Sequence, residues 1–83
     1  MANKDDAQRK LVQLATRVKG GITTYTEDLI LRRAVDTGKI KSRSDVAKVL
    51  EESLSKPAND VQKVLASDDS DRLADEIVNL LNG

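Results

Sequence analysis

Apolar residues in this chain recur at helical spacing, segment after segment, and nearly all of them are aliphatic. The 83 residues include one Tyr, no Phe and no Trp. A core made of Leu, Ile, Val and Ala has no large aromatic anchor, so it must close by fitting many small faces together. The segments carrying those faces read as helices. Ala7, Leu11, Leu14, Ala15 and Val18 follow the i, i+4, i+7, i+8, i+11 pattern of one helical stripe. Leu29, Ile30, Leu31, Ala34 and Val35 form a second, wider stripe. Val46, Val49, Leu50 and Leu54 form a third, with Ala47 beside them, and Ala58, Val61, Val64 and Leu65 a fourth. Leu73, Ala74, Ile77, Val78, Leu80 and Leu81 form the last. No segment alternates with a period of two, and no hairpin dipeptide separates β-branched runs. The expected fold is all-α, a small bundle of four to five short helices around an aliphatic core. It forms one domain over residues 1–83, with residues 1–4 expected to be disordered.

Polar residues punctuate the stripes. Asp5 and Asp6 can cap the first helix and suit its positive end. Gly20-Gly21 offers a left-handed stop, after which Ile22 is expected to plug the loop. Thr24-Tyr25-Thr26-Glu27 has the spacing of a capping box, with Thr26 as a competing cap. Gly38 ends the second helix, and Ile40 is a burial candidate inside the basic linker Lys39-Ile40-Lys41. Ser42 or Ser44 opens the third helix, with Ser42-x-x-Asp45 as a second box. Pro57 either sits in the first turn of a new helix, behind Ser55 or Lys56, or kinks one helix spanning 44–66. Residues 67–71 form a polar turn rich in capping residues before the last helix.

Charge is segregated along the chain although the total is zero. Residues 1–43 hold ten Lys/Arg and five Asp/Glu, and residues 44–83 hold four and nine. Such a split favours recognition by field and contact and offers both signs to a partner. Arg32, Arg33, Lys39, Lys41 and Arg43 crowd around the end of the second helix and its linker, although Arg32 can also pair with Asp36 at i, i+4. The wide second stripe either sits centrally or offers apolar surface to a partner. Tyr25, if exposed, is the natural anchor of such a surface beside Leu29 and Arg32; if buried, it staples the helix start. The candidate partner-binding set is therefore Tyr25, Leu29, Arg32, Arg33, Lys39, Lys41 and Arg43.

Composition excludes most chemistry. Without Cys there are no disulfides and no thiolate metal sites, and without His the commonest general base and metal ligand are missing. Gly20-Gly21 lacks the spacing of a phosphate loop. Asp68, Asp69, Asp71, Asp75 and Glu76 suggest a calcium loop, but Leu73 stands where the third ligand belongs and no Gly follows. Helix capping accounts for these carboxylates. The chain is expected to be no enzyme and to hold no cofactor or metal. No apolar stretch is long enough to span a membrane, and the first residues lack a secretory apolar segment. With no cysteine, the expected location is the cytoplasm.

The run from Gly38 to Leu50 resembles the opening of a helix-turn-helix DNA-binding unit. A polar cap leads into Asp45-Val46-Ala47-x-x-Leu50, with basic residues ahead of it. That resemblance implies a small DNA-binding regulator using residues 38–66, paired as a dimer. The chain departs from the pattern at Glu51, where the family turns on Gly, and its second helix would present Asn59, Asp60, Gln62 and Lys63. The order of elements is also similar to the four-helix immunity proteins that protect bacteriocin producers, with residues 44–66 and 70–81 as the third and last helices. The residues themselves favour a non-catalytic binding or regulatory module. It would dock a protein partner through a helical surface; nucleic acid is the alternative partner, and a homodimer is compatible with either.

Overall fold

The computed structural model describes residues 2–83. Five α-helices run through them, with no strand among the described residues: α1 (Ala2–Lys19), α2 (Tyr25–Asp36), α3 (Arg43–Leu54), α4 (Ala58–Leu65) and α5 (Asp68–Asn82). The molecule is the small all-α bundle that the stripes predict. Its thinnest dimension is 17 Å, room for about two helix layers at an interaxial spacing of roughly 8–10 Å. In so thin a body every helix keeps one face in solvent.

α1 lies at the centre and touches all four other helices, most broadly α5. Its stripe explains why. Ala7 and Ala15 are small enough for neighbours to approach closely, and Leu11 and Leu14 fill the space between them; all four are fully buried. The wide stripe of α2 does not make it central, because α2 packs mainly against α1 and α3. α1 begins at Ala2, ahead of the caps expected at Asp5 and Asp6. Asp5 lies in its first turn, where a carboxylate still complements the helix dipole. Residues 2–4, where the sequence leads one to expect disorder, belong to α1, and the same expectation for Met1 lies outside the described residues.

The helix ends are closed by polar groups. Gly20, at φ +78°, donates its amide to the Thr16 carbonyl at 2.8 Å and stops α1. Ile22 does not plug the loop that follows; it is 88 % exposed. The loop is closed instead by the Thr23 hydroxyl, which donates to the Asp28 carboxylate at 2.6 Å. Thr24 then caps α2, accepting from the Glu27 amide at 3.2 Å, while the Glu27 carboxylate accepts from the Thr24 amide at 2.8 Å. α2 ends in a Schellman turn around Gly38, where the Lys39 amide donates to the Ala34 carbonyl at 3.1 Å. This turn delivers Ile40 into the core, 1 % exposed.

Ser42 caps α3, and the Asp45 carboxylate does most of the work, accepting from the amides of Lys41 (3.0 Å) and Ser42 (3.2 Å). α3 ends on Ser55 in the left-handed region at φ +53°. Pro57 therefore separates two helices and kinks none; it is the N-cap of α4, one position before the first turn. There its missing N–H goes unneeded, and its carbonyl accepts from Asp60 at 3.1 Å. α4 buries Val61 and Leu65 but leaves Ala58 exposed, because its first turn runs past the edge of the core. Ser67 caps α5, with Asp68, Asp69 and Asp71 in its first turn.

Two substitutions test this architecture. Leu50 is fully buried, so Leu50→Ala should cost about 2–5 kcal/mol in urea denaturation, a large share of the stability of so small a domain. Ser55→Gly should instead stabilise the fold by about 0.5–1 kcal/mol, because only Gly enters the left-handed region without a Cβ penalty.

Candidate functional site

α2 buries Leu31, Ala34 and Val35, an i, i+3, i+4 set that fixes its inward direction. Each residue turns a helix by about 100°, so Leu29 stands roughly 200° from Leu31 and faces outward. Tyr25 and Arg33 lie four residues either side of Leu29 and share that outward line. Tyr25 is 78 % exposed, Leu29 49 % and Ile30 38 %. With Ile22 these are the large apolar side chains that the described residues leave in solvent. A single exposed Leu needs no explanation, but four such residues lie between positions 22 and 30, three of them on α2. The Thr24–Glu27 box holds the start of this helix rigidly, and Lys19 reinforces it from α1 with a 2.7 Å ion pair to Glu27.

The basic cluster divides in two. The Arg32 guanidinium bonds Asp5 at 2.9 Å and Asp36 at 3.2 Å. Asp5 first, then Asp36, holds the Arg32 pKa above its ordinary value, and Arg32 in turn holds the Asp5 carboxyl below its own. Arg43 pairs with Asp71 and, at 3.5 Å, with Asp75. These two arginines tie helices together and are not available as open cations. Arg33, Lys39 and Lys41 are exposed and form no ion pair among the described residues. Lys39 borders a shallow cavity of about 230 Å³ with Asp45, Lys48, Val49 and Glu52, a lining of mixed sign. Of the seven candidate residues, the outward face of α2 therefore joins Tyr25, Leu29 and Arg33.

Part of the segregated charge is complemented within the fold. Arg43 from the basic half meets Asp71 and Asp75 from the acidic half, and Lys10 meets Glu76 at 3.4 Å. Arg17 of α1 also donates to the buried Ser70 hydroxyl at 3.0 Å. A cavity of about 400 Å³ opens between the start of α1 and the end of α5, lined in part by Lys10 and Glu76, already paired with each other.

Residues 38–66 do form two helices joined by a short turn. Glu51 lies inside α3, and the chain turns four residues later, on Ser55. α4 then exposes Asn59, Gln62 and Lys63. The same break removes the long third helix on which the likeness to immunity proteins depends. Ile30 and Ile22 were not among the sequence candidates. Ile30 was readable, because three consecutive apolar residues cannot share the face that Leu31, Ala34 and Val35 set. No local pattern marks Ile22 as exposed. Compared with known proteins, the chain matches no family model, and no match to it was found among curated proteins or solved structures.

The caps around α2 and α3 make stability depend on acid. The Lys19 ammonium, then the Thr24 amide, hold Glu27 below its ordinary pKa, and the Lys41 amide does the same for Asp45. A carboxyl with a lowered folded pKa binds protons more readily when unfolded. Its contribution is complete above the ordinary carboxyl range of about 4 and is lost as the pH falls through the lower folded value. Urea stability should thus fall between about pH 5 and pH 2, and Glu27→Gln with Asp45→Asn should flatten that fall. An equally steep fall in the double variant would contradict this assignment.

Proposed function

We propose that this chain is a non-catalytic binding module that docks a protein partner through the outward face of α2. The observation that carries this reading is the exposure of Tyr25, Leu29 and Ile30 on a helix whose other apolar residues are all buried. Aromatic and arginine side chains dominate interface energetics, and Tyr25 and Arg33 flank Leu29 on this face. The side chain of Tyr25 brings large contact area at low entropic cost, and the capped first turn of α2 holds it in place before any partner arrives. The chain lacks Cys and His, which supports a module without catalytic chemistry and a location in the reducing cytoplasm.

One observation favours a second reading as a DNA-binding regulator: α3 and α4 follow each other across a three-residue turn at Ser55-Lys56-Pro57, with Lys39 and Lys41 just ahead. Against it, Arg43 is held by two carboxylates, and the exposed side of α4 carries little positive charge.

Tyr25→Ser with Leu29→Ser separates the readings. Both side chains are exposed, so the double variant should keep its stability within about 0.5 kcal/mol. It should lose at least about tenfold in protein capture, read by quantitative crosslinking against wild type. An unchanged crosslinking profile overturns the docking reading. The DNA reading predicts duplex binding that weakens steeply between about 50 and 200 mM salt and is indifferent to these two substitutions.

A further inference from the structure

We propose that Asn82-Gly83 is a self-modifying junction. The Gly83 amide converts Asn82 through a cyclic imide into aspartate and isoaspartate, and the last turn of α5 sets the pace. The conversion releases α5 from the linker between α2 and α3. This site is separate from the docking face and does not depend on it.

The reaction needs only the chain and water. The Gly83 amide gives its proton to solvent base, and its nitrogen attacks Cγ of Asn82. A bond forms between that nitrogen and Cγ as the bond from Cγ to Nδ2 breaks. The side-chain nitrogen takes up a proton and leaves as ammonia. Water then adds to either carbonyl of the imide and opens the ring. One opening leaves aspartate; the other leaves isoaspartate, in which the backbone runs through the side chain. Glycine has no Cβ to hinder its amide. Of the four asparagines, only Asn82 precedes a glycine; Asn3, Asn59 and Asn79 precede Lys4, Asp60 and Leu80.

The fold holds both reacting groups back. Asn82 is the last residue of α5, and the imide ring requires a ψ at Asn82 outside the helical range. The Gly83 amide donates to the Asn79 carbonyl at 2.8 Å, which aims the nucleophile along the helix and away from Cγ. Nδ2 of Asn82 donates to the carbonyls of Ile40 and Val78, each at 2.9 Å. These three bonds converge on the last turn and are released together when it opens. Both residues are exposed, so water and base reach the site at each opening. A Cβ at Gly83 would stand 2.5 Å from the Asn79 carbonyl oxygen. The glycine that closes the turn is therefore also the residue that makes Asn82 labile.

The product does not fit the clasp. A carboxylate has no proton to donate, and both partners of the Asn82 amide are carbonyl oxygens, so repulsion replaces two hydrogen bonds. A negative charge also opposes the dipole at the end of a helix. Lys39 and Lys41 flank Ile40, but both are exposed, and a surface ion pair there adds little. α5 thus loses its hold on the Ile40 carbonyl, at the point where the linker enters the core.

Timed incubation of the full chain at mildly alkaline pH, folded and in urea, tests the proposal by peptide mass spectrometry. Asn82 should be modified ahead of Asn3, Asn59 and Asn79 and should yield both isomers. The folded chain should react at least about tenfold more slowly than the unfolded one, because three bonds must open first. Asn82→Asp supplies one product directly. In hydrogen exchange its amides over residues 80–83 should exchange at least about threefold faster than those of wild type, with the buried face of α1 unchanged. An unfolded chain that leaves Asn82 intact, or that gives aspartate without isoaspartate, overturns the reaction. Equal rates in the folded and unfolded chains overturn its control by the last turn. Unchanged exchange in Asn82→Asp overturns the release.

Discussion

The close packing of α1 against its neighbours is the interaction on which the rest of the structure depends. Four fully buried residues, Ala7, Leu11, Leu14 and Ala15, let α1 contact every other helix, as α3 also does, and give it the broadest contact in the bundle, with α5. Two are alanines, and their small size lets neighbouring backbones approach; the leucines then interdigitate with residues from the surrounding helices. No aromatic side chain takes part. Stability is consequently spread over many modest contacts, each sensitive to the loss of a few methylene groups. The broadest of these contacts is with α5, whose buried Leu73, Ala74 and Ile77 share the core with them.

A core of this kind does not fix its own loops, and polar groups at the helix ends supply that precision. The Thr24–Glu27 box, the Schellman turn around Gly38 and the Asp45 carboxylate under Lys41 and Ser42 close three successive junctions. Between the last two, Ile40 is carried into the core, and the Asn82 side-chain amide clasps its carbonyl at 2.9 Å from the far end of the chain. Ion pairs act on a longer scale. Arg43 joins the start of α3 to α5, and Arg32 joins α2 to α1. Arg43 and Lys10 carry contacts between the basic and acidic halves, whereas Arg32 finds its carboxylates within its own half. Exposed pairs of this kind add little stability singly.

How much of this was legible depended on whether the governing interaction was local. The helices, the Thr24 cap and the burial of Ile40 followed from spacing within a few residues, because hydrogen bonds and stripes repeat at that range. Pro57 left two outcomes open, since its ring is tolerated at a helix start and at a kink. The choice was made by Ser55 entering the left-handed region, which a serine does not announce. The basic cluster was misleading for a different reason. Arg32 and Arg43 look like neighbours of Arg33 and Lys41 in sequence, but their carboxylate partners Asp5, Asp71 and Asp75 lie more than twenty residues away. Ion pairs across helices depend on packing that no local pattern encodes. For the candidate face, the sequence supplied Tyr25, Leu29 and Arg33, and packing was needed to separate them from the arginines already engaged.

The position of the single aromatic residue follows from the same geometry. A body about two helices thick, closed by Ala, Val, Leu and Ile, has no interior site large enough for a tyrosine without opening space between α1 and its partners. Tyr25 is therefore outside, at the first position of α2, on a helix whose cap and Lys19 ion pair fix its direction. An exposed aromatic beside two exposed aliphatics weakens solubility, a liability that the charged third of the chain offsets elsewhere on the surface. None of the three belongs to the buried core cluster, and Tyr25 is the most exposed of them. The aliphatic core closes without them, and their exposed surface is what the proposed docking role rests on.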